Sequence, residues 1–493
     1  MSGTETAGAG PAAGLAEASD FAALLQREFK PKTDHTRAAV AQAVQTLAQQ
    51  ALANTALISS DSLGTIEAII AAIDGKLTEQ VNAILHQEDF QQLESTWRGL
   101  HYLVNNTETD ETLKLRVLNV SKKDVARTLK KFRGTAWDQS PIFKKLYEEE
   151  YGQFGGEPYG LLVGDYYFDH SPQDTQLLGD VAQIAAAGHA PFIVAAAPTV
   201  FGMDDWSELA NPRDLTKIFQ TPEYAAWRSL RESEDARYVG LCMPRYLARL
   251  PYGEKTVPVE EFRFEEDVQG AASDRFCWAN AAYAMATNIT RAFKIYGWTT
   301  RIRGIESGGA VEGLPAYTFP TDDGGVDMKC PTEIAISDRR EAELSKNGFM
   351  PLIHRKNSDF AAFIGAQSLQ KPQEYDDPAA TANANLAARL PYLFASCRFA
   401  HYLKCMVRDK IGSSMTKGQL NNWLQTWLNN YIDGSPESSS EDWKATHPLA
   451  EGRVEIEENE ENPGYYQAKF FLRPHYQLEG LTVSLRLVSR MPK

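Results

Sequence analysis

Two short apolar runs, LLV at 161–163 and FIVAA at 192–196, bracket a segment of helical spacing at 176–187. Runs of this length suit strands better than helices. Strand, helix and strand in succession place the middle of the chain in the α/β class, where a sheet must bury a face against helices. The composition can supply that core. The chain has 493 residues, of which 43% are hydrophobic and 10% aromatic, about three domains' worth of material, and disorder over most of it is excluded. The formal net charge of −15 argues against non-specific binding to DNA, RNA or anionic lipid, which are polyanions themselves.

Other elements follow from local signals. Residues 1–20 form a small-residue tail. Residues 21–30 then form a short amphipathic helix with Phe21, Leu24, Leu25 and Phe29 on one side, halted by Pro31. Val40, Val44, Leu47 and Ala51 predict one longer helix. Ile66, Ile69, Ile70, Ile73, Leu77, Val81 and Ile84 predict a second over 63–86, and the two together an α-hairpin. Strands are predicted at 113–118 and 333–337, and helices at 121–132, 276–296 (closed by Gly297) and 395–411. The helix at 416–432 has the clearest pattern. Thr416 and Gln419 form a capping box, and Leu420, Trp423, Leu424, Trp427, Leu428 and Tyr431 line one stripe. Three strands are predicted near the end, at 453–457, 465–472 and 481–488. In the last, Leu481, Val483, Leu485 and Leu487 alternate with polar or opposite-facing positions, the period of a half-buried strand. The expected architecture is mixed α/β and α+β, divided as 1–33 (tail and helix), 34–105 (helical), 106–385 (α/β) and 386–493 (helices and strands).

Chemistry-bearing patterns are sparse. Cys397, His401 and Cys405 recur at i, i+4 and i+8 on one helix, a spacing that can bind zinc or hold a thiolate beside an imidazole. No fourth ligand stands nearby, and cysteine is among the most buried residue types. The glycine-rich 304–313 lacks the Lys and Ser/Thr of a phosphate loop and reads as a tight connection. Asp322, Asp323 and Asp327 lack the alternation of a calcium loop, and Asp165, Asp169 and His170 read as a polar loop after a strand. Neither G-x-S-x-G, H-E-x-x-H nor C-x-x-C occurs. No catalytic, cofactor or metal set is therefore expected. Five scattered cysteines suit reduced thiols in a cytoplasm. The first residues carry no basic, apolar secretory pattern, and no apolar run approaches membrane-spanning length.

Several long segments carry a resemblance: WRGLHYLVNNT (97–107), PYGLLVGDYYFDH (158–170), APFIVAAAP (190–198), YVGLCMPRYLARLPYG (238–253), FCWANAAYA (276–284), RIRGIESGG (301–309), PTEIAISDRREAELSKNGFMPLIH (331–354) and PHYQLEGLTVSLRLVSR (474–490). Through them the chain resembles the large subunit of the type VI secretion contractile sheath, the TssC/VipB family. DFAALLQREFKPKTD (20–34) resembles that family's amino-terminal helix. The resemblance implies a cytoplasmic structural protein, not an enzyme and without cofactor. It implies pairing with a small sheath subunit (TssB/VipA-like) and polymerisation with further copies of itself in a helical sheath. That sheath surrounds an inner-tube protein (Hcp-like) and stands on a baseplate. An AAA+ unfoldase (ClpV-like) grips the helix of Phe21, Leu24, Leu25 and Phe29, and the strand of Leu481, Val483, Leu485 and Leu487 passes between subunits. Arg408 and Lys410 are candidates for inner-tube contact. Two other readings are an α/β enzyme using the Cys397/His401 region and the sheath of another phage-tail-like device.

Overall fold

The computed structural model describes residues 62–211, 214–268, 274–458 and 466–477, with a few positions between 35 and 42. The helix at 21–30 and the strand at 481–488 lie outside the described residues. Contacts divide the chain into two units, one comprising 1–91 with 251–269, the other 92–250 with 270–493.

In the first unit the predicted 63–86 helix is α1 (Ser62–Leu85). Its Asn82 amide is nearly buried and serves an extended stretch of backbone. Asn82 Nδ2 donates to the Glu265 carbonyl at 3.0 Å, and Asn82 Oδ1 accepts from Asp267 N at 2.8 Å. One side chain thus completes two backbone groups that would otherwise be costly to bury.

The second unit takes in helix α2 (Glu88–Asn105) from Gln92 onward. Its Glu94 accepts from Arg249 at 2.6 and 3.1 Å and from Arg98 at 2.7 Å. Burial pushes the Glu94 carboxyl up, but the two guanidiniums outweigh it and hold it below the usual range. Gly99 lies against the Tyr283 ring, where a Cβ would come within 2.4 Å.

The main sheet is built from β1 (Leu162–Phe168), β2 (Phe192–Ala196), β3 (Val239–Met243), β4 (Ala310–Val311), β5 (Phe349–His354) and β6 (Ala361–Phe363). Its order is β1-β2-β3-β5-β6-β4. The first four strands run parallel, and β6 is antiparallel to both of its neighbours. Every residue of β2 and β3 is buried, so both faces of these strands are covered, as their unbroken apolar runs require. Helices α3 (Pro172–Gly188) and α4 (Ala281–Tyr296) pack on this sheet. The expected strand, helix and strand are thus present, with β1 longer than its apolar run.

A smaller core follows. Helices α5 (Leu390–Lys410) and α6 (Lys417–Asn429) join Trp298 and an antiparallel hairpin of β7 (Leu449–Glu458) and β8 (Tyr466–Pro474). The capping box of Thr416 and Gln419 is formed. Trp423, Trp427 and Tyr431 pack around buried Phe399, Leu424 and Leu428, so the aromatic stripe serves this core. Leu428 is fully buried and faces Gly452, where a Cβ would lie 2.9 Å from Leu428 Cδ2. Leu428→Ala is expected to cost about 2–5 kcal/mol. Hydrogen exchange should rise first in 449–474, with the main sheet still protected.

Some expectations change. Residues 113–118 are not a strand: Lys114 and Arg116 reach Glu157, Arg116 also reaches Glu150, and Val117 and Leu118 stand exposed. Side-chain ion pairs hold this run, and its backbone joins no ladder. Residues 333–337 are not a strand either, because the bridge there is made by Thr332 to Tyr246 and Ser337 already caps the helix Asp338–Lys346. The predicted 276–296 helix begins only at Ala281. Trp278–Ala279 pairs with Tyr246–Leu247, and Asn280 caps the helix. Helix α5 starts five residues earlier than 395, since Pro391 fits its first turn.

Candidate assembly interface

The hairpin β7–β8 packs one face on α6 and leaves the other exposed. Gly452, Val454 and Ile456 face inward opposite Leu472, Phe470 and Ala468, and the inward side chains pack with α6. The outer face carries Arg453 opposite Phe471, Glu455 opposite Lys469 and Glu451 opposite Arg473. Lys469 pairs with Glu457 at 2.7 Å, Arg473 pairs with Glu451, and Arg453 covers the half-exposed Phe471 ring at 4.9 Å.

The two outer edges differ. Gln425 on α6 accepts from Val454 N at 2.9 Å and donates to the Gly452 carbonyl at 3.0 Å. A helix side chain therefore occupies the outer edge of β7. Among the described residues no strand pairs with the outer edge of β8. The base of the hairpin is pinned by His475, whose Nε2 lies 2.9 Å from the His447 carbonyl and 3.9 Å from buried Asp433. Gln477 then anchors the outgoing chain. Its N donates to Tyr392 Oη at 2.8 Å, its Nε2 to the Thr300 carbonyl at 2.8 Å, and its Oε1 accepts from Arg303 at 2.7 Å.

The other sequence candidates are bound up in packing. His401 is buried, with Nε2 2.9 Å from the Gly188 carbonyl, and desolvation lowers it to about 4. Burial pushes Cys397 up to about 12, so the pair holds neither a thiolate nor an imidazolium near neutrality. Among the described residues no cluster of three potential ligands could hold a metal. In the glycine loop a Cβ on Gly308 would lie 2.1 Å from the Arg301 carbonyl oxygen, and one on Gly309 would lie 2.3 Å from that of Phe363. This is the close backbone approach expected of it. Asp169 accepts from Ser171 N at 2.8 Å at the start of α3, and His170 stacks on Tyr224 at 4.2 Å. Arg408 donates to the Gln153 carbonyl at 2.9 Å, and Lys410 lies 5.0 Å from the Trp423 ring centroid. Both cations at the end of α5 are thus engaged within the chain. Sequence reasoning missed Gln425, because a polar residue beside an apolar stripe carries no sign of which backbone it will meet.

Two family models match in tandem. The tail sheath N-terminal domain of the VipB (EvpB/VC_A0108) family matches residues 67–370, and its tail sheath gpW/gp25-like domain matches 379–491. These define a contractile tail-sheath protein, and the chain belongs to the VipB sheath family. It is 74% identical over 476 residues to the type VI secretion system sheath protein TssC1 of Pseudomonas aeruginosa, covering 97% of this chain and 96% of the relative. The expected role as a structural subunit of the type VI secretion sheath stands on this membership. Solved structures overlap more loosely. The baseplate of the anti-feeding prophage gives a TM-score of 0.39 at 12% identity, covering 78% of this chain and 84% of that one. The contracted PVC sheath complex of an extracellular contractile injection system gives 0.32 at 10%, covering 63% and 68%. Overlaps that loose carry no functional weight. No helix among the described residues is long and apolar enough to cross a membrane.

Proposed function

We propose that this chain co-polymerises in the cytoplasm with a small sheath subunit around an inner tube, and that the sheath contracts to drive the tube outward. The observation that carries the reading is the tandem match of both sheath domains over 67–370 and 379–491. In this reading the open edge of β8 receives a strand, with residues 481–488 of a neighbouring subunit as donor. The work of contraction comes from changes in subunit packing and requires no catalytic residue or cofactor. Residues 21–29 serve as the unfoldase handle, Arg408 and Lys410 face the tube, and the assembled sheath stands on a baseplate.

The test is co-expression with the small subunit followed by negative-stain microscopy. Cogwheel-ended tubules are expected from the pair, and an unstable or insoluble protein from the chain alone. A monodisperse, stable monomer that forms no tubules with the partner would overturn the proposal.

A further inference from the structure

A cavity of about 1710 Å³ lies between the glycine loop, the start of α5 and the residues that follow β8. Two arginines from distant positions share its wall. Arg303 stands just before the glycine-rich 304–313, and Arg389 is the residue that opens α5. Burial lowers both guanidiniums below the usual arginine range, and Arg303 adds to the effect at Arg389, as like charges held close together do. Glu341 on the same wall is within electrostatic range of Arg303 and accepts from Ser345 at 2.7 Å.

The outgoing chain is delivered to this wall. Gln477 Oε1 accepts from Arg303 Nε at 2.7 Å, and Gln477 N donates to Tyr392 Oη at 2.8 Å, one turn along α5 from Arg389. Leu478 and Glu479 come next. Two residues span at most about 7 Å, so the chain cannot carry Glu479 far from the two guanidiniums. Residues 478–493 include the basic Arg486, Arg490 and Lys493, and Glu479 is the one acid among them. Reach and charge therefore single out the same residue. A carboxylate has two oxygens that accept from guanidinium N–H groups, and one set between two arginines offsets their mutual repulsion.

We propose that the Arg303 and Arg389 wall of this cavity is the binding site for the Glu479 carboxylate, which fastens the root of the carboxy-terminal segment to its own subunit. Tyr392, Arg303 and Arg389 together then hold residues 477–479, and the chain is released only from Gly480. The consequence for assembly rests on the proposed function. A strand at 481–488 that pairs with a neighbour starts two residues beyond a fixed point, and a short tether of this kind raises the strand's effective concentration at its partner's edge.

The test is hydrogen exchange of peptides covering 474–480, on the full chain purified with its small-subunit partner, or alone where the two do not pair. Exchange there is expected to rise about tenfold in Glu479→Ala and in Arg389→Met, with 239–243 of β3 unchanged. The double variant should exchange no faster than either single one, because both remove the same contact. Combining Glu479→Arg with Arg389→Glu should restore part of the protection lost in Glu479→Arg alone. Glu479→Ala carries the test if Arg389→Met does not fold. Unchanged exchange in Glu479→Ala, or single effects that add in full in the double variant, would overturn the proposal. Protection that follows added inorganic phosphate and not Glu479 would overturn it too, and would mark a site for small anions. Exchange is read within one chain, so microscopy of tubules from the same samples scores strand donation separately.

Discussion

Removal of residues 481–493 is expected to abolish sheath tubules while heterodimers with the small subunit still form. Two strands alone are marginal in water, and β7–β8 is stabilised on one face by α6 and at one edge by Gln425. Among the described residues the outer edge of β8 pairs with no strand, and the proposed function places a third strand there. In the proposed function the period-two segment with Leu481, Val483, Leu485 and Leu487 would supply the apolar face, main-chain hydrogen bonds would join the chains and the leucines would set register. The truncation leaves the hairpin's own supports intact, so loss should be confined to contacts between subunits. Size exclusion of the co-expressed pair and negative-stain microscopy read the two levels separately. Loss of the heterodimer itself would assign the strand to its own subunit's sheet, and normal tubules would refute both placements.

The second large effect concerns the amino-terminal helix. Changing Leu24 and Leu25 together to Asp should weaken binding to the unfoldase by about two to four orders of magnitude and leave tubules unaffected. Each leucine buried in a groove contributes roughly 1.5–3 kcal/mol, and each 1.4 kcal/mol is about a factor of ten. A ten-residue helix such as the sequence predicts at 21–30 is marginal alone in water, so the proposed function has a partner's groove bury its leucines. Fluorescence titration of the unfoldase with wild-type and altered chains measures the difference. Unchanged affinity would remove Phe21, Leu24, Leu25 and Phe29 from that role.

Elements whose causes are local were readable in the sequence. Helix α6 is the clearest case: its capping box and its stripe lie within one segment, and both formed as expected. Strands β2, β7 and β8 were marked by apolar runs or alternation, and α1 and α3 by helical spacing. The same local signals failed at 113–118, where alternation was present but no ladder formed. A strand exists only if another strand takes its hydrogen bonds, and side-chain ion pairs hold this segment instead. The sheath family was legible as well, because its motifs are long and ordered along the chain.

What the sequence by itself determined, then, is helices α1, α3 and α6, strands β2, β7 and β8, the capping of α6, the tight glycine connection and the family. Tertiary structure alone decided the neighbours. Glu94 and Arg249 are 155 positions apart and meet as a buried ion pair. Gln425, on a helix, meets the Gly452 carbonyl and the Val454 amide at one edge of the hairpin. Cys397 and His401, suggestive by spacing, are neutralised by burial. Periodicity and capping act within a few residues, so one segment suffices to reveal them. Burial, ion pairing and pKa depend on which distant segments the core brings within a few ångströms, and that is settled only when the chain has folded.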